Sequence, residues 1–377
     1  MLAVALAASW QTLTVHYNYH GNWTALYCTG DRFYPPPAAL ASENIYRFPN
    51  SWGYDGQSYH YIAHDPFLRR GFSASIDSPR FRYRRILIPL SAWALALGCD
   101  QWVDPAYLAV IWLWIFAGTF WTAGVIGDRG GHPAWALGFL LIAAVTVSID
   151  RLTVDVAIVA LTSGVIFYAA RGRWGAVASL CLLACLVRES GPLMPAAVAA
   201  WLLGASRFRP FLAVCWTPAP ALAWYAWVTA RTKPGEPEGL LSPIPFGGLL
   251  TRLATPTPYP FSPLVSLTAT VLDYAALLGL IYSIAYCAIH WRRLARGVDG
   301  SIAFASIALV AVISTQAVWM DAYAFARGFS PLLLIVWLDG FRASQAAGAA
   351  AIALTAPRIG AQIGSQITRV LLGLTGR

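Results

Sequence analysis

Long stretches without a charged residue constrain this chain more than any other feature. Residues 105–127 and 300–320, for example, contain no Asp, Glu, Lys or Arg. A helix crosses the hydrocarbon core of a membrane in roughly 17 to 25 apolar residues, and the alternating pattern of membrane-barrel strands is absent. Because only 11% of the sequence is charged and 58% is hydrophobic, we predict an all-α polytopic bundle of about ten or eleven transmembrane helices.

The predicted spans are unevenly distributed. Residues 1–15 form a first helix, and residues 16–103 form a long polar segment with juxtamembrane or interfacial helices. Within that segment, residues 86–98 are apolar but too few to cross a bilayer. The main bundle covers residues 104–342 and has a polar loop at 230–263. Its predicted helices are 104–126, 134–149, 154–170, 175–188, 191–205, 211–229, 264–290, 301–319 and 329–341.

The C-terminal residues 343–377 contain an apolar segment, which is either one more short span or a buried hairpin. An amphipathic tail then begins at Arg358.

The turns between spans carry most of the positive charge, and they indicate how the chain threads. If residues 86–98 do not cross, one end of the bundle receives Arg129, Arg171, Arg173, Arg207, Arg209, Arg292, Arg293, Arg296 and Arg342. Short loops rich in arginine mark the cytoplasmic side. The net charge of +9 therefore reports topology and gives no reason to expect a nucleic-acid partner. The long polar segment then faces outwards.

The stretch WGYDGQSYHYIAHDPF, residues 52–67, brings polar and aromatic groups together in this outer segment. Gly53 and Gly56 allow a turn where Asp55 begins a helix, and positions 55, 59 and 62 share one helical face. A carboxylate at a helix start is also a common cap, so that alternative stays open for Asp55. The candidate ligand residues of this stretch are Tyr54, Gln57, Tyr59, His60, His64 and Asp65.

Three further sets of charged residues fall at the same predicted end. In an extended chain, Arg80, Arg82 and Arg84 would share a face, with Arg85 next to them; they could bind phosphate oxygens or anionic headgroups. The turns elsewhere supply Asp150, Arg151, Asp155, Arg188 and Glu189, for which local ion pairs are the alternative. Asp321, Tyr323 and Arg327 form the last set, in which an Asp321–Arg327 pair is the alternative to a ligand contact.

Other common chemistries find no support in the sequence. It contains no GxSxG, HExxH, GxxxxGK[ST] or Rossmann glycine pattern. His60 and His64 are spaced as potential metal ligands, but the sequence shows no third ligand beside them. We therefore predict no metal site.

The order of several motifs resembles the GT-C superfamily of polytopic glycosyltransferases, and more narrowly a bacterial group associated with cell-surface glycopolymers. The motifs are YDGQSYHYIAHDPF, RYRRILIPLSAWALALG, DRLTVDVAIVAL, LVRESGPLM and DAYAFARGFSPLLL. Together they extend over most of residues 1–340. The resemblance implies an enzyme of the bacterial cytoplasmic membrane whose active site faces the periplasm.

That resemblance also implies a reaction. A sugar would pass with inversion from a polyprenyl-phosphate donor to an envelope glycan or lipid acceptor, and an outer-loop acid would serve as base. Asp55 matches that acid best, although it lies far from the first helix and lacks an acidic neighbour; Asp31 is nearer and stays a rival. Arg82, Arg84 and Arg188 would stabilise the departing phosphate, so no cofactor is needed and a divalent metal is optional.

Two alternatives to a transferase remain open. A flippase or transporter of lipid-linked sugars would need the same polar cavity above apolar helices and would make no covalent bond. A non-catalytic subunit of an envelope assembly would tolerate changes at Asp55 and Arg84.

Overall fold

A computed structural model describes residues 1–233 and 241–375 of the chain, and almost all of its regular structure is helical. Its α-helices are α1 (Leu2–Tyr19), α2 (Asp55–His64), α3 (Pro79–Arg82), α4 (Leu87–Leu95), α5 (Asp100–Asp128), α6 (Ala143–Arg151), α7 (Asp155–Ala170), α8 (Trp174–Val187), α9 (Leu193–Gly204), α10 (Phe208–Cys215), α11 (Ala219–Arg231), α12 (Gly247–Ala254), α13 (Pro263–Ile289), α14 (Trp291–Leu294), α15 (Val298–Val312), α16 (Gln316–Trp319), α17 (Ala322–Gly328), α18 (Ser330–Gly340), α19 (Gln345–Gln362) and α20 (Gly364–Leu374). Short 3₁₀ helices cover Trp23–Tyr27, Ala38–Glu43, Phe72–Ser75 and Pro133–Leu141.

Several of these helices can cross a membrane, which confirms the helical class of the prediction. Among the described residues, three stretches are long and apolar enough: Asp100–Asp128, Phe208–Arg231 and Pro263–Ile289. The number rises to five if each of two bent helix pairs counts as one span. Four more apolar helices have only 10 to 17 residues. By length and composition the structure thus supports three to five spans, fewer than the ten or eleven predicted.

The predicted helix bounds agree best where one apolar run is uninterrupted. The prediction of 154–170 corresponds to α7, and that of 264–290 corresponds to α13. The run predicted at 211–229 is interrupted between α10 and α11, where Pro218 follows Thr217. Proline lacks the amide hydrogen that a continuous helix needs.

The helix predicted at 134–149 is bent, whereas the one predicted at 329–341 corresponds to α18, which follows a bend after α17. Pro133–Leu141 meets α6 at 63°, and α17 meets α18 at 64°. Each break is followed or preceded by a helix that reaches the first polar segment. Side chains at the C-terminal end of α6 and on α17 contact that segment, as described below.

The first polar segment folds on a small scaffold. Strands β1 (Thr29–Gly30) and β2 (Arg47–Phe48) pair in parallel, with Thr29 opposite Arg47. Residues 86–98 contribute α4, whose nine residues reach only about 14 Å. That length agrees with a segment that does not cross the bilayer. α4 packs against α5 and α2.

Helices α13, α18 and α19 form a tightly packed group at the centre of the chain's second half. A Cβ atom added at Gly340 would lie 2.5 Å from the Cα of Gly348. Only glycine permits this approach of α18 to α19. The crossing fixes α19 against its neighbours.

The C-terminal residues pack within the bundle. Arg358, predicted to open an amphipathic tail, lies inside α19 and is buried. Its Nε atom is 2.8 Å from Asp273 of α13, and this ion pair explains why an arginine is tolerated there. α20 then returns to α1, where Gln366 donates a 2.6 Å hydrogen bond to the Tyr19 hydroxyl.

The arginine-rich turns gather at one end of the bundle, as predicted. Asp299 binds Arg129 at 2.7 Å and Arg342 at 2.9 Å, and Asp339 binds Arg293 at 2.5 Å. These contacts join the ends of α5 and α18 to the start of α15, and α14 to the end of α18. The residues singled out for chemistry lie elsewhere.

Candidate functional site

Asp55 is the first residue of α2, and its position depends on two glycines. Gly53 has a φ of +75°, a left-handed conformation that favours glycine. A Cβ atom at Gly56 would lie 2.2 Å from the carbonyl oxygen of Arg151, so this helix packs backbone against backbone on the end of α6. The residue that precedes the helix is Tyr54, and its side chain makes no capping hydrogen bond.

The Asp55 carboxylate binds two arginines. Arg82 Nη1 lies 2.7 Å from Oδ1, and Arg327 Nη2 lies 2.8 Å from Oδ2. Burial alone would raise the pKa of this carboxyl, but the two guanidinium groups hold it well below its ordinary value. The capping alternative for Asp55 is therefore not what the structure shows.

Both arginines continue to a second acid. Arg82 holds Asp77 with two hydrogen bonds of 2.9 Å. Arg327 Nε lies 3.5 Å from Asp155, whose other oxygen is 2.5 Å from Arg188 Nη1. The contacts thus form an alternating chain of acids and arginines that crosses the first polar segment, α17, α7 and the α8–α9 turn.

Arg85 forms a parallel branch beside this chain. Its Nε atom lies 3.1 Å from each Glu189 carboxylate oxygen, and its Nη1 atom donates a 2.9 Å hydrogen bond to the Tyr59 hydroxyl. Glu189 follows Arg188 directly. We call the whole set the arginine cluster: Arg82, Arg85, Arg188 and Arg327 with Asp55, Asp77, Asp155 and Glu189.

The arginines of the cluster are largely buried and its formal charges balance, whereas the Asp77 and Glu189 side chains are 36% and 27% exposed. The exposed fractions of the arginine side chains lie between 6% and 14%. Asp155 is fully buried. Buried charges are tolerated when they are paired, and here each acid faces an arginine. Some donors are left over, since the Nη1 atom of Arg327 and the Nε atom of Arg188 are buried without a hydrogen-bond partner among the described residues.

Arg80 and Arg84 differ from Arg82 in their partners. An extended chain would have placed the three on one face, but residues 79–82 form a helical turn. Arg80 Nη2 donates to the Thr229 and Thr232 carbonyl oxygens at 3.2 and 2.7 Å. Arg84 lies 3.4 Å from the Thr229 hydroxyl. The Arg80 and Arg84 side chains thus lie against the end of α11, and their hydrogen-bond acceptors there are uncharged.

Tyr54 connects the cluster to another pair of charges. The Arg327 guanidinium lies 5.2 Å from the centre of the Tyr54 ring, and that ring meets Tyr323 edge to face at 5.4 Å. The Tyr323 hydroxyl lies 3.1 Å from Asp150, which pairs with Arg151 at 3.1 Å. Asp150 thus forms a local ion pair with Arg151, which was the alternative to a ligand-binding role. It makes no direct contact with Asp55 in the contacts described.

Two residues of the 52–67 stretch have structural roles. The Gln57 side chain accepts a 3.1 Å hydrogen bond from the Gly30 amide and donates a 3.0 Å one to the Trp52 carbonyl. Asp65 accepts from the backbone amides of Arg69, Arg70 and Phe72 and so closes the turn after α2. Neither side chain reaches the arginine cluster in the contacts described.

The remaining two acids also lie apart from it. Asp321 caps α17 by accepting a 2.9 Å hydrogen bond from the Ala324 amide, so the predicted Asp321–Arg327 pair does not form. Asp31 is exposed and accepts a 3.1 Å hydrogen bond from the Ser51 amide. Of the two candidate bases, Asp55 is the one whose carboxylate forms ion pairs with arginines in the contacts described.

His60 and His64 lie on a different face of α2 and form a second group with Glu43, Asp100 and Asp104. His60 Nε2 lies 3.0 Å from Asp104 and 3.5 Å from Glu43. Burial would lower the pKa of His60, but these two carboxylates raise it to about 9. The third potential ligand that the sequence did not reveal is therefore Glu43, which the fold of the first polar segment brings alongside.

A surface groove of about 610 Å³ borders the site. It lies between residues 67–69 and α11, where Trp224 and Trp227 stack with their ring centres 4.7 Å apart. Arg231 covers the Trp227 ring at 4.4 Å. The Trp224 indole donates a 2.8 Å hydrogen bond to the carbonyl of Tyr83, which links the groove to the arginine-bearing segment.

In comparisons with known proteins, no family model, no curated protein and no solved structure matches the chain. The glycosyltransferase resemblance thus depends on the order of its short motifs alone.

The sequence identified the principal charged residues of the site but not the residues that pair with them. Asp77 and Asp155 were noticed as charged residues but not assigned to the site, although each binds a cluster arginine. Thr229 and Thr232 carried no signal, since hydroxyl residues near a helix end are common. Asp77 opens the arginine run, and its closeness in sequence to Arg82 is the signal that could have assigned it as a partner.

Proposed function

We propose that this protein is an inverting glycosyltransferase of the bacterial cytoplasmic membrane, with the arginine cluster as its active site on the outer face. The observation that supports this most is the pairing of Asp55 with Arg82 and Arg327 in a largely buried site. A carboxylate and several arginines are the groups that proton removal and phosphate departure require. Apolar helices around them suit a donor with a lipid chain.

In the proposed reaction, the donor phosphate takes the place of the Asp55 carboxylate on one or both arginines. Arginine forks bind phosphate oxygens and carboxylates with the same two-point geometry. The exchange matters because a carboxylate held by two cations is a weak base. Once released from them, Asp55 has a higher proton affinity and can face an acceptor hydroxyl.

The bond changes then balance within the site. The acceptor oxygen bonds to the anomeric carbon, its proton passes to Asp55, and the bond from that carbon to the phosphate oxygen breaks. The electron pair leaves with polyprenyl phosphate, which changes from a monoanionic diester to a dianionic monoester. Arginine therefore binds the transition state more strongly than the bound donor, which is the condition for catalysis.

The groove beside α11 supports separate binding regions for the lipid chain and the sugar of the donor. Its tryptophans offer an apolar surface for the isoprenyl chain, while Arg69 and Arg231 line the same groove. Tyr54 and Tyr59 lie near Asp55 instead, where the Tyr54 ring faces Arg327 and the Tyr59 hydroxyl accepts a hydrogen bond from Arg85. The arginine-rich turns at the far end of the bundle support a cytoplasmic location for that end, by the positive-inside rule.

The test is transfer by purified protein in detergent. Radiolabelled polyprenyl-phosphate sugars are incubated with membrane glycan or lipid acceptors, and release of free polyprenyl phosphate is measured together with sugar incorporation. We expect both in equal amounts with wild-type protein and neither with Asp55→Asn. Movement of intact donor across liposomes without polyprenyl phosphate release would establish the flippase alternative and refute the transferase.

A further inference from the structure

The second group of titratable residues forms a site independent of the arginine cluster. Glu43 ends a 3₁₀ helix, His60 and His64 lie one turn apart on α2, and Asp100 and Asp104 lie one turn apart at the start of α5. Glu43, His60 and His64 each offer a ligand atom within 4.8 Å of the others. Three elements far apart in sequence thus converge at one point.

From these distances we infer a binding site for a divalent transition metal of the zinc type, held by Glu43, His60, His64 and Asp104. With metal–ligand bonds of about 2.0 to 2.2 Å, neighbouring ligand atoms in a tetrahedral site lie about 3.3 to 3.6 Å apart. The observed separations are 3.5 Å for Glu43 to His60, 3.0 Å for His60 to Asp104 and 3.8 Å for His64 to Asp104. Each of these three separations lies within a few tenths of an ångström of the tetrahedral values.

The surroundings orient one histidine as a ligand. His64 Nδ1 lies 2.9 Å from Asp100, and Asp100 is held in turn by Arg70 at 2.6 and 2.8 Å. A carboxylate that fixes one ring nitrogen and leaves the other for the metal is the usual support of a metal-binding histidine. The free nitrogen, His64 Nε2, is buried without a hydrogen-bond partner among the described residues.

A second support fixes His60 and Asp104. The Tyr27 ring stacks on His60 with centres 4.0 Å apart, and its hydroxyl donates a 2.9 Å hydrogen bond to Asp104. Both histidine rings are fully buried, whereas the Glu43 and Asp104 side chains are 18% and 25% exposed. A cation can therefore enter from the carboxylate side.

Two imidazoles with two carboxylates favour zinc over magnesium or calcium, which prefer oxygen ligands alone. With four protein ligands, the metal has a structural role. It ties the first polar segment and α2 to α5, and α2 carries Asp55 in its first turn.

The test uses metal content and stability, so its result does not depend on sugar transfer. Detergent-purified protein is stripped with a chelator and titrated with Zn²⁺ by calorimetry; elemental analysis counts bound metal, and Co²⁺ absorption reports the geometry. We expect one Zn²⁺ per chain and a higher Tm with zinc. Glu43→Gln should weaken binding at least tenfold, and Asp31→Asn, an exposed acid of the same segment, should not.

Asp100→Asn provides a second variant in case Glu43→Gln does not fold, because it leaves all four proposed ligands in place, weakens the support of His64 and should weaken binding about tenfold. Wild-type protein that binds no stoichiometric zinc would overturn the inference. Equal zinc affinity of wild type, Glu43→Gln and Asp100→Asn would overturn it as well.

Discussion

Asp55 Oδ2 lies 2.8 Å from Arg327 Nη2, which joins the first turn of α2 to the last turn of α17. The pair connects the first polar segment to the end of the bundle, and Arg82 completes it from the other side at 2.7 Å. Removal of one partner would leave a buried charge unpaired, which is costlier than the loss of an exposed ion pair. The same contact therefore bears on both stability and activity.

Asp55→Asn should lower transfer by about 10²- to 10⁴-fold, the usual contribution of a general base. It should also lower the free energy of unfolding by about 3 kcal/mol, because Arg82 and Arg327 lose their shared acid. Transfer per folded molecule is measured after separation by size exclusion. Asp31→Asn serves as the matched control and should retain both properties; loss of transfer in Asp31→Asn alone would reassign the base.

The stability that Asp55 confers should depend on pH in one direction. Its pKa is lowered in the folded protein, so its contribution is complete above the unfolded-state pKa of about 3.9 and is lost as the pH falls below that value. The Tm difference between wild type and Asp55→Asn should thus stay constant from pH 8 to about 5.5 and shrink below about pH 4. A difference that already shrinks between pH 7 and 6 would contradict a lowered pKa.

Arg82→Lys should reduce transfer about 100-fold, since lysine cannot hold Asp77 with two hydrogen bonds and bind Asp55 or phosphate as well. Arg80→Lys is the matched control from the same short helix. It loses only contacts to backbone carbonyls of α11, and its transfer rate should change less than tenfold. Equal effects of the two substitutions would show that general positive charge, and not the Asp55 contact, matters.

Gly56→Ala should destabilise the protein by about 1 to 3 kcal/mol and reduce transfer, because the new methyl group would collide with the Arg151 carbonyl and move α2. Gly127→Ala is the control, since a Cβ atom there meets nothing within 4 Å. Thermal unfolding of both variants measures the effect. An unchanged Tm in Gly56→Ala would mean that α2 is not seated on α6.

Cysteine labelling should reveal the orientation of the bundle. In a background without the exposed Cys99 and Cys215, Asp31→Cys should react with an impermeant maleimide in intact spheroplasts. Arg173→Cys, also exposed, should react only after permeabilisation. The reverse pattern would place the arginine cluster in the cytoplasm and exclude an outer-face transferase.

The sequence predicted the helices well because apolar run length depends on local composition. The helix at 154–170, for example, corresponds to α7. It did not predict the break before α6, which divides the predicted helix 134–149, or the short helix α17 that precedes α18 at a bend of more than 60°. Those turns depend on which polar groups the first segment presents, and that information lies far away in the chain.

For the site, residue types were predictable and pairings were not. Asp55, Arg82 and Arg327 stood out because charge is rare in this chain. Their partners depend on whether residues 79–82 are extended or helical, since a helical turn separates Arg82 from Arg80 and Arg84. Glu43 shows the same limit, because only the folded loop brings it to His60.

The alternating chain of acids and arginines has a consequence for biogenesis. Asp55 and Arg82 leave the ribosome before α5 to α16, and Arg327 follows those helices. Until Arg327 is made, Asp55 lacks one of its two cations. Closure of the arginine cluster thus waits for α17, and truncation before α17 should yield a chain that inserts but is cleared by membrane quality control.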